Sequence, residues 1–177
     1  MRRYRVLVLA GVLASLGMVL GPAVASASAE HRSGHQTFRV SIYEVFPNGQ
    51  QVGTGPIDAD GVIDGKGVIQ EIPSTSSDPA NSQRVVLTFA RGSLTVLSSG
   101  GTVHFKAERD CTFTVRIRGS QADVLSGTGA YAHATGHSTV DVNVAGVLER
   151  NPDGSCNQNG FPRFDTVRVV STGNLKL

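Results

Sequence analysis

The chain has 177 residues, of which 40% are hydrophobic and 17% charged, with 16 Lys and Arg against 14 Asp and Glu. Removing Arg2, Arg3 and Arg5, which belong to a predicted export signal, leaves 13 basic residues against 14 acidic ones, a net charge of about −1. The remaining sequence contains no run of Lys and Arg, so its composition disfavours a nucleic-acid partner.

Residues 1–29 have the pattern of a secretory signal peptide. The three arginines are followed by an apolar stretch at 6–20 and by small residues at 23–29, which offer several A-x-A cleavage sites up to Ala29. The apolar stretch is shorter than the roughly 20 residues that a membrane span needs. The sequence therefore predicts a secreted, extracellular protein without a membrane anchor after cleavage. An uncleaved N-terminal anchor is the alternative, and the cleavage site itself stays open.

Residues 30–36 are polar and lack periodicity, which predicts a flexible leader. From Thr37 onward apolar and polar residues alternate, as in strands with one buried and one solvated face. The alternating positions are Phe38, Val40, Ile42 and Phe46; Val85, Leu87 and Phe89; Leu94 and Val96; Val103 and Phe105; Phe113, Val115 and Ile117; Val140, Val142 and Val144; and Val167 and Val169. Helical spacing of apolar residues is missing after the signal, so residues 37–177 are predicted to form one all-β domain.

Dipeptides that tolerate positive φ separate these runs. They are Asp60-Gly61, Asp64-Gly65, Gly100-Gly101, Gly119-Ser120 and Asp153-Gly154. Many short one-sided strands at near-regular spacing predict either a sandwich or a closed barrel. Because no run has the features of a blunted edge strand, we expect an antiparallel barrel that closes on itself.

Two cysteines, Cys111 and Cys156, fit export to an oxidising compartment. A pair is too few for a structural zinc site, and neither cysteine lies in a C-x-x-C motif. We therefore expect one disulfide that ties the long loop around Cys156 to the start of the Cys111 strand, with two free thiols as the alternative. Closing a loop of this length stabilises a fold by roughly 4 kcal/mol in the chain-entropy model.

Residues 127–136 have the sequence GTGAYAHATG, which resembles the G-T-G-x-aromatic-x-x-A-x-G hairpin of dirigent proteins and allene oxide cyclases. Residues 89–96 resemble the segment that precedes this motif, and residues 41–45 are similar to the first barrel strand of the cyclases. The resemblance implies an eight-stranded antiparallel barrel with a central cavity, assembled as a homotrimer. His133 departs from the motif, because those families commonly have Gly at this position.

The motif also has a structural interpretation that depends on its residues alone. Gly127 and Gly129 allow a tight or bulged turn, and the ring of Tyr131 can cover the strand crossing that the glycines leave bare. Gly136 is the last glycine of the motif. We interpret these four residues as structural.

Glu44 shares the inward face of the first strand with Phe38, Val40 and Ile42. A carboxyl among apolar neighbours resists ionisation, and such a group can act as a general acid or base or hold a polar ligand atom. The resemblance adds that a first-strand glutamate belongs to the active site of the cyclases. Glu44 is therefore the candidate catalytic residue. The alternative is that it lies near the barrel mouth and reaches water.

Two other constellations fail as metal sites, so no metal and no cofactor is predicted. His133 and His137 lie on a predicted strand, where four residues span ~13 Å, too far for two ligands of one ion. Residues 58–64 resemble the middle of an EF-hand loop. However, Pro56 and Gly67 occupy the first and last ligand positions, which leaves an acidic hairpin turn.

Three functions remain open. The first is a binding module that holds a small apolar ligand, with Glu44 as polar anchor. Its predicted lining residues are Phe38, Val40, Ile42, Phe89, Phe105, Phe113 and Val142. The second, implied by the resemblance, is a cofactor-free cyclase or isomerase, or a dirigent-like template, that acts by confinement and Glu44. The third is a structural or surface-interaction protein with a filled barrel.

Overall fold

The computed structural model describes residues 32–45 and 52–177, so the predicted signal segment and Phe46 lie outside the described residues. Nine strands account for most of the described chain, and a 3-10 turn at Gly129–Tyr131 joins two of them. The strands are β1 (Ser33–Val45), β2 (Val52–Gly61), β3 (Gly65–Ile72), β4 (Gln83–Phe89), β5 (Gly92–Ser99), β6 (Thr102–Ala107), β7 (Thr112–Gly127), β8 (Thr135–Leu148) and β9 (Pro162–Lys176).

Eight of these strands form a closed antiparallel barrel, as predicted. Their order around the ring is β5-β4-β3-β2-β1-β9-β8-β7, and pairing between β5 and β7 closes it. Strand β6 lies outside the ring and pairs with β7. All pairings are antiparallel. Because strands are pleated, inward and outward side chains alternate along them, apart from the register shifts in β7 and β8.

Strand β7 has two partners along the same edge. Its second half pairs with β5 and its first half with β6, and Gly100-Gly101 carries the chain from one to the other with φ values of 72° and 92°. The predicted break at Gly119-Ser120 is a bulge inside β7 and does not end the strand, which continues through it. The expectation that no edge strand exists is also wrong, because β6 has β7 as its single described strand partner.

The N-terminal part of the domain is more ordered than its polarity predicts. Strand β1 begins at Ser33, so four residues of the predicted leader belong to the barrel. Gln36 explains the early start: its side chain is buried, its Oε1 accepts from the backbone N–H of Ile63 at 2.7 Å, and its Nε2 donates to the carbonyl of Ile63 at 3.1 Å. These bonds fasten β1 to the β2–β3 turn.

Aromatic side chains close the end of the barrel where β1 begins. Phe89 packs between Phe38 and Tyr131, with ring centroids 6.1 Å apart in each pair. Tyr131 is buried, and a Cβ at Gly127 would lie 1.8 Å from its carbonyl oxygen. The glycines of residues 127–136 therefore permit the close turn that seats Tyr131, which agrees with the structural interpretation of the motif. A Cβ at Gly136 would likewise lie 2.4 Å from the carbonyl oxygen of Asn174.

Cys111 and Cys156 form the predicted disulfide. It connects the residue before β7 to the long β8–β9 loop, where Arg150 also donates to the carbonyl of Asp110 at 3.2 Å. A disulfide fits an extracellular or otherwise oxidising location. Among the described residues, no helix is long and apolar enough to cross a membrane.

Candidate functional site

A cavity of about 530 Å³ occupies the barrel interior. It runs from Gln36 and Leu175, near the closed end, to Gln158 and Gly160 of the disulfide-linked loop. Phe105 lines it at the loop end and is 53% exposed, so the cavity opens to solvent there. The walls are mainly Val, Ile, Leu and Phe side chains from the inward faces of the strands.

Six of the seven predicted lining residues face this cavity. They are Phe38, Val40, Ile42, Phe105, Phe113 and Val142. Phe89 is not among the residues that line the cavity. Its ring is part of the aromatic cluster with Phe38 and Tyr131, which fills the closed end below the cavity. Alternation correctly places Phe89 inside the barrel, but it carries no information about depth along the barrel axis.

Glu44 lines the cavity near its open end, and its side chain is only 3% exposed. Its in-register neighbour on β9 is Asp165, which is 5% exposed and also lines the cavity. Asp165 is hydrogen-bonded to Glu44, while its Oδ1 atom is buried without a hydrogen-bond partner. Two carboxyl groups thus share one apolar wall.

The pKa of Asp165 is raised to about 7. Burial is the largest cause, followed by the charge of Glu44 and by the hydrogen bond between the two groups. Two carboxyl groups in hydrogen-bond contact resist simultaneous ionisation. The pair therefore holds one proton below about pH 7 and titrates as a unit. The hydrogen bond between Asp165 and Glu44 holds this proton. Because the pKa lies near 7, the pair releases this proton as the pH rises through neutrality.

Glycines flank the two acids along the row that crosses the strands. Gly53 of β2 is opposite Glu44, and Gly146 of β8 is opposite Asp165. A Cβ at Gly146 would lie 2.6 Å from the Cβ of Asp165. A Cβ at Gly53 would lie 3.0 Å from Oε1 of Glu44 and 2.5 Å from Oε2 of Glu71. The missing side chains therefore leave room for the carboxyl groups, and Glu71 of β3 joins them.

The charged residues of the described cavity lining are all acidic. They are Glu44, Glu71 and Asp165, and the described lining also contains His137 but no Lys or Arg. Among residues 32–45 and 52–177, no group of three or more His, Cys, Asp or Glu side chains could hold a metal ion. The charge inside the cavity is thus negative and lies near its open end.

The other candidate residues lie away from these acids. His133 lies just before β8 and His137 lies on it, and both are exposed. Asp58, Asp60 and Asp64 are exposed on the β2–β3 hairpin, which agrees with the expected acidic turn.

Sequence reasoning missed Asp165 and Glu71, although the signal that identified Glu44 was available for Asp165. Asp165 shares the alternation of Val167 and Val169, so the rule that an acid in register with apolar neighbours points inward finds it. Glu71 has only Ile69 as an apolar neighbour in register, on a strand that the alternation does not predict. The convergence of the three acids depends on strand register, which the sequence alone does not fix.

Comparisons with protein-family models, curated proteins and solved structures found no match to this chain. The resemblance to dirigent proteins and allene oxide cyclases remains a prediction from residues 127–136 and their flanks.

Proposed function

We propose that this protein binds a small, mainly apolar molecule inside its barrel, with Glu44 and Asp165 as the polar anchor. The observation that carries the proposal is the apolar cavity with a buried carboxylate oxygen, Oδ1 of Asp165, that has no hydrogen-bond partner. The volume of the cavity, about 530 Å³, lies within the range of small-molecule binding sites.

The energetics of the interior support a ligand. An unsatisfied buried polar atom costs about 1–3 kcal/mol, and an empty apolar cavity loses packing contacts as well. A barrel with a purely structural role gains stability by filling this space with larger side chains and by replacing the acids. The cavity therefore argues against the filled barrel.

Native mass spectrometry of the purified protein tests the proposal. We expect a small molecule to be retained by the folded wild-type protein and lost on denaturation. Val142→Phe, which adds a ring inside the cavity, should abolish retention. Val170→Phe is the matched control, because Val170 is 44% exposed on the outward face of β9. A wild-type protein that retains no molecule, even after incubation with an apolar extract of its culture, would contradict the proposal. The same spectra report whether the protein is a trimer.

A cofactor-free cyclase or isomerase is the second candidate, and one observation favours it. A carboxyl with a pKa of about 7 can both donate and accept a proton at neutral pH, and Asp165 holds this position beside Glu44 in a mainly apolar cavity. Confinement of one reactive conformer would supply the remaining effect. The identity of a retained molecule would show which reaction to assay.

We also propose that the protein is secreted. The charge, apolar and small-residue pattern of residues 1–29 supports export, and the disulfide between Cys111 and Cys156 fits the oxidising destination. N-terminal sequencing of the protein recovered from culture medium tests this. A new terminus near residue 30 is expected, whereas an intact Met1 in the cell fraction would contradict it.

A further inference from the structure

The charge of the cavity restricts the chemistry of its ligand. Glu44, Glu71 and Asp165 come from three different strands, β1, β3 and β9, and all of them line the same space. The described lining contains no Lys or Arg. A negatively charged ligand would bring another like charge into a wall that already resists full ionisation.

The acids pack into the space that two glycines leave, and one oxygen of the pair stays without a partner. In the row that crosses the strands, the neighbours of Glu44 and Asp165 are Gly53 and Gly146, which present no side chain. The Oδ1 atom of Asp165 is nine-tenths buried and has no hydrogen-bond partner. A donor group of a bound ligand would satisfy this oxygen.

An ammonium group meets these conditions better than a hydroxyl group. It offers three N–H donors, whereas a hydroxyl offers one. Its positive charge also compensates buried carboxylates, which a neutral donor does not. The remainder of the cavity is apolar, so the amine would be attached to a hydrocarbon body.

Building on the proposed function, we infer that the bound molecule is an apolar amine whose protonated nitrogen lies against Glu44, Glu71 and Asp165. The groups that face this nitrogen are the three acids, with Gly53 from β2, Gly146 from β8 and Phe113 from β7 completing the wall. Binding releases the proton that the acid pair holds. The affinity for the amine therefore rises from pH 6 to pH 8, where an alkylamine is still protonated.

Three probes with the same hydrocarbon chain test the inference: dodecylamine, dodecanol and dodecanoic acid. Titration calorimetry below their aggregation concentrations should show dodecylamine binding at least about tenfold tighter than dodecanoic acid at pH 8. In the double variant Glu44→Gln, Asp165→Asn, the preference should fall by about tenfold. Asp123→Asn is the control, because Asp123 is exposed on the outside of β7 and should keep the preference.

The outcomes separate the inference from the function on which it rests. Binding of dodecanoic acid as tight as that of dodecylamine overturns the inference but leaves the cavity as a binding site. Binding of none of the three probes overturns the proposed function and the inference with it. The wild-type comparison needs no variant, so it decides the matter even where the double variant fails to fold.

Discussion

At the scale of single residues, Asp165 makes the stability of the barrel depend on pH. Its pKa is about 7 in the folded protein, whereas an unfolded Asp titrates near 3.9. Between these values the folded state binds more protons than the unfolded state, so the free energy of unfolding falls as pH rises from about 4 to 7. Allowing for screening by water at the open end, the loss is on the order of 2 kcal/mol.

Asp165→Asn should remove this loss. The amide keeps a hydrogen-bond partner for Glu44 but has no charge, so the variant should be more stable than wild type at pH 8 by about 2 kcal/mol and nearly equal to it at pH 4. Urea unfolding at both pH values measures the difference.

Asp123→Asn, on the outer surface, is the control and should match wild type throughout.

Asp78, Asp110 and Asp153 have lowered pKa values, chiefly because of side-chain hydrogen bonds from Arg84, Thr112 and Ser155. Their stabilisation is lost only as pH falls below the ordinary range of Asp. An Asp165→Asn variant that is less stable than wild type at pH 8 would show that the acid pair stabilises the fold.

The residue scale also shows how far the sequence determines the site. Alternation correctly puts Glu44 inside, because a side chain two positions from Ile42 on a strand shares its face. The same rule reaches Asp165 but not Glu71, which lies on β3, a strand that the alternation does not predict. What it lacks is register: the contact between Glu44 and Asp165 joins the first and last strands, and no local pattern encodes that pairing. Alternation also does not give the position of a residue along the barrel axis, so it could not show that Phe89 lies outside the cavity lining.

At the scale of elements, the joint between β5 and β6 depends on two adjacent glycines that differ in their surroundings. Both have positive φ, so Ala at either position is strained by about 1 kcal/mol. A Cβ at Gly100 would meet nothing within 4 Å, whereas one at Gly101 would lie 2.5 Å from Oγ of Ser120 and 3.0 Å from Cγ2 of Ile117.

We therefore expect Gly101→Ala to lower the free energy of unfolding by about 2–3 kcal/mol and Gly100→Ala by about 1 kcal/mol. Ser120 is buried and its Oγ donates to the carbonyl of Gly100 at 3.0 Å, so it cannot move aside without losing that bond. Equilibrium unfolding in urea gives both values. Equal losses in the two variants would mean that the joint is flexible enough to absorb the added methyl group.

Among the elements, the strands missed by the sequence are β2 and β3. β2 contains Gly53, Gly55 and Pro56, residues that weaken or interrupt strands, and its alternation is confined to Ile57 and Ala59. Its neighbours compensate, because β1 and β3 pair with it on both sides. Tertiary pairing thus overrides weak local propensity here, and single-sequence patterns do not report such pairing.

At the scale of the whole molecule, closure of the ring is what creates the cavity. The number and one-sidedness of the strands predict a sandwich or a barrel, and the lack of a blunted edge strand favours closure. Pairing between β5 and β7 confirms closure, although β6 is an edge strand outside the ring. The volume left inside depends on how the inward side chains meet across the ring. Composition does not reveal this, since Val-rich inward faces suit a filled barrel and a hollow one equally well.

Val142→Phe distinguishes a hollow barrel from a filled one through stability alone. If the interior is empty without ligand, the added ring buries apolar surface and raises the free energy of unfolding by on the order of 1 kcal/mol. In a filled interior the same ring overpacks the core and lowers the free energy of unfolding by about 1–3 kcal/mol.

Ligand at a hundredfold excess over Kd should stabilise wild type by about 2.7 kcal/mol and Val142→Phe hardly at all. Val170→Phe, on the outer face, should leave both quantities unchanged, and chemical unfolding with and without dodecylamine measures all of them. A destabilised Val142→Phe variant would show that the interior has no room for the added ring and would contradict the hollow barrel.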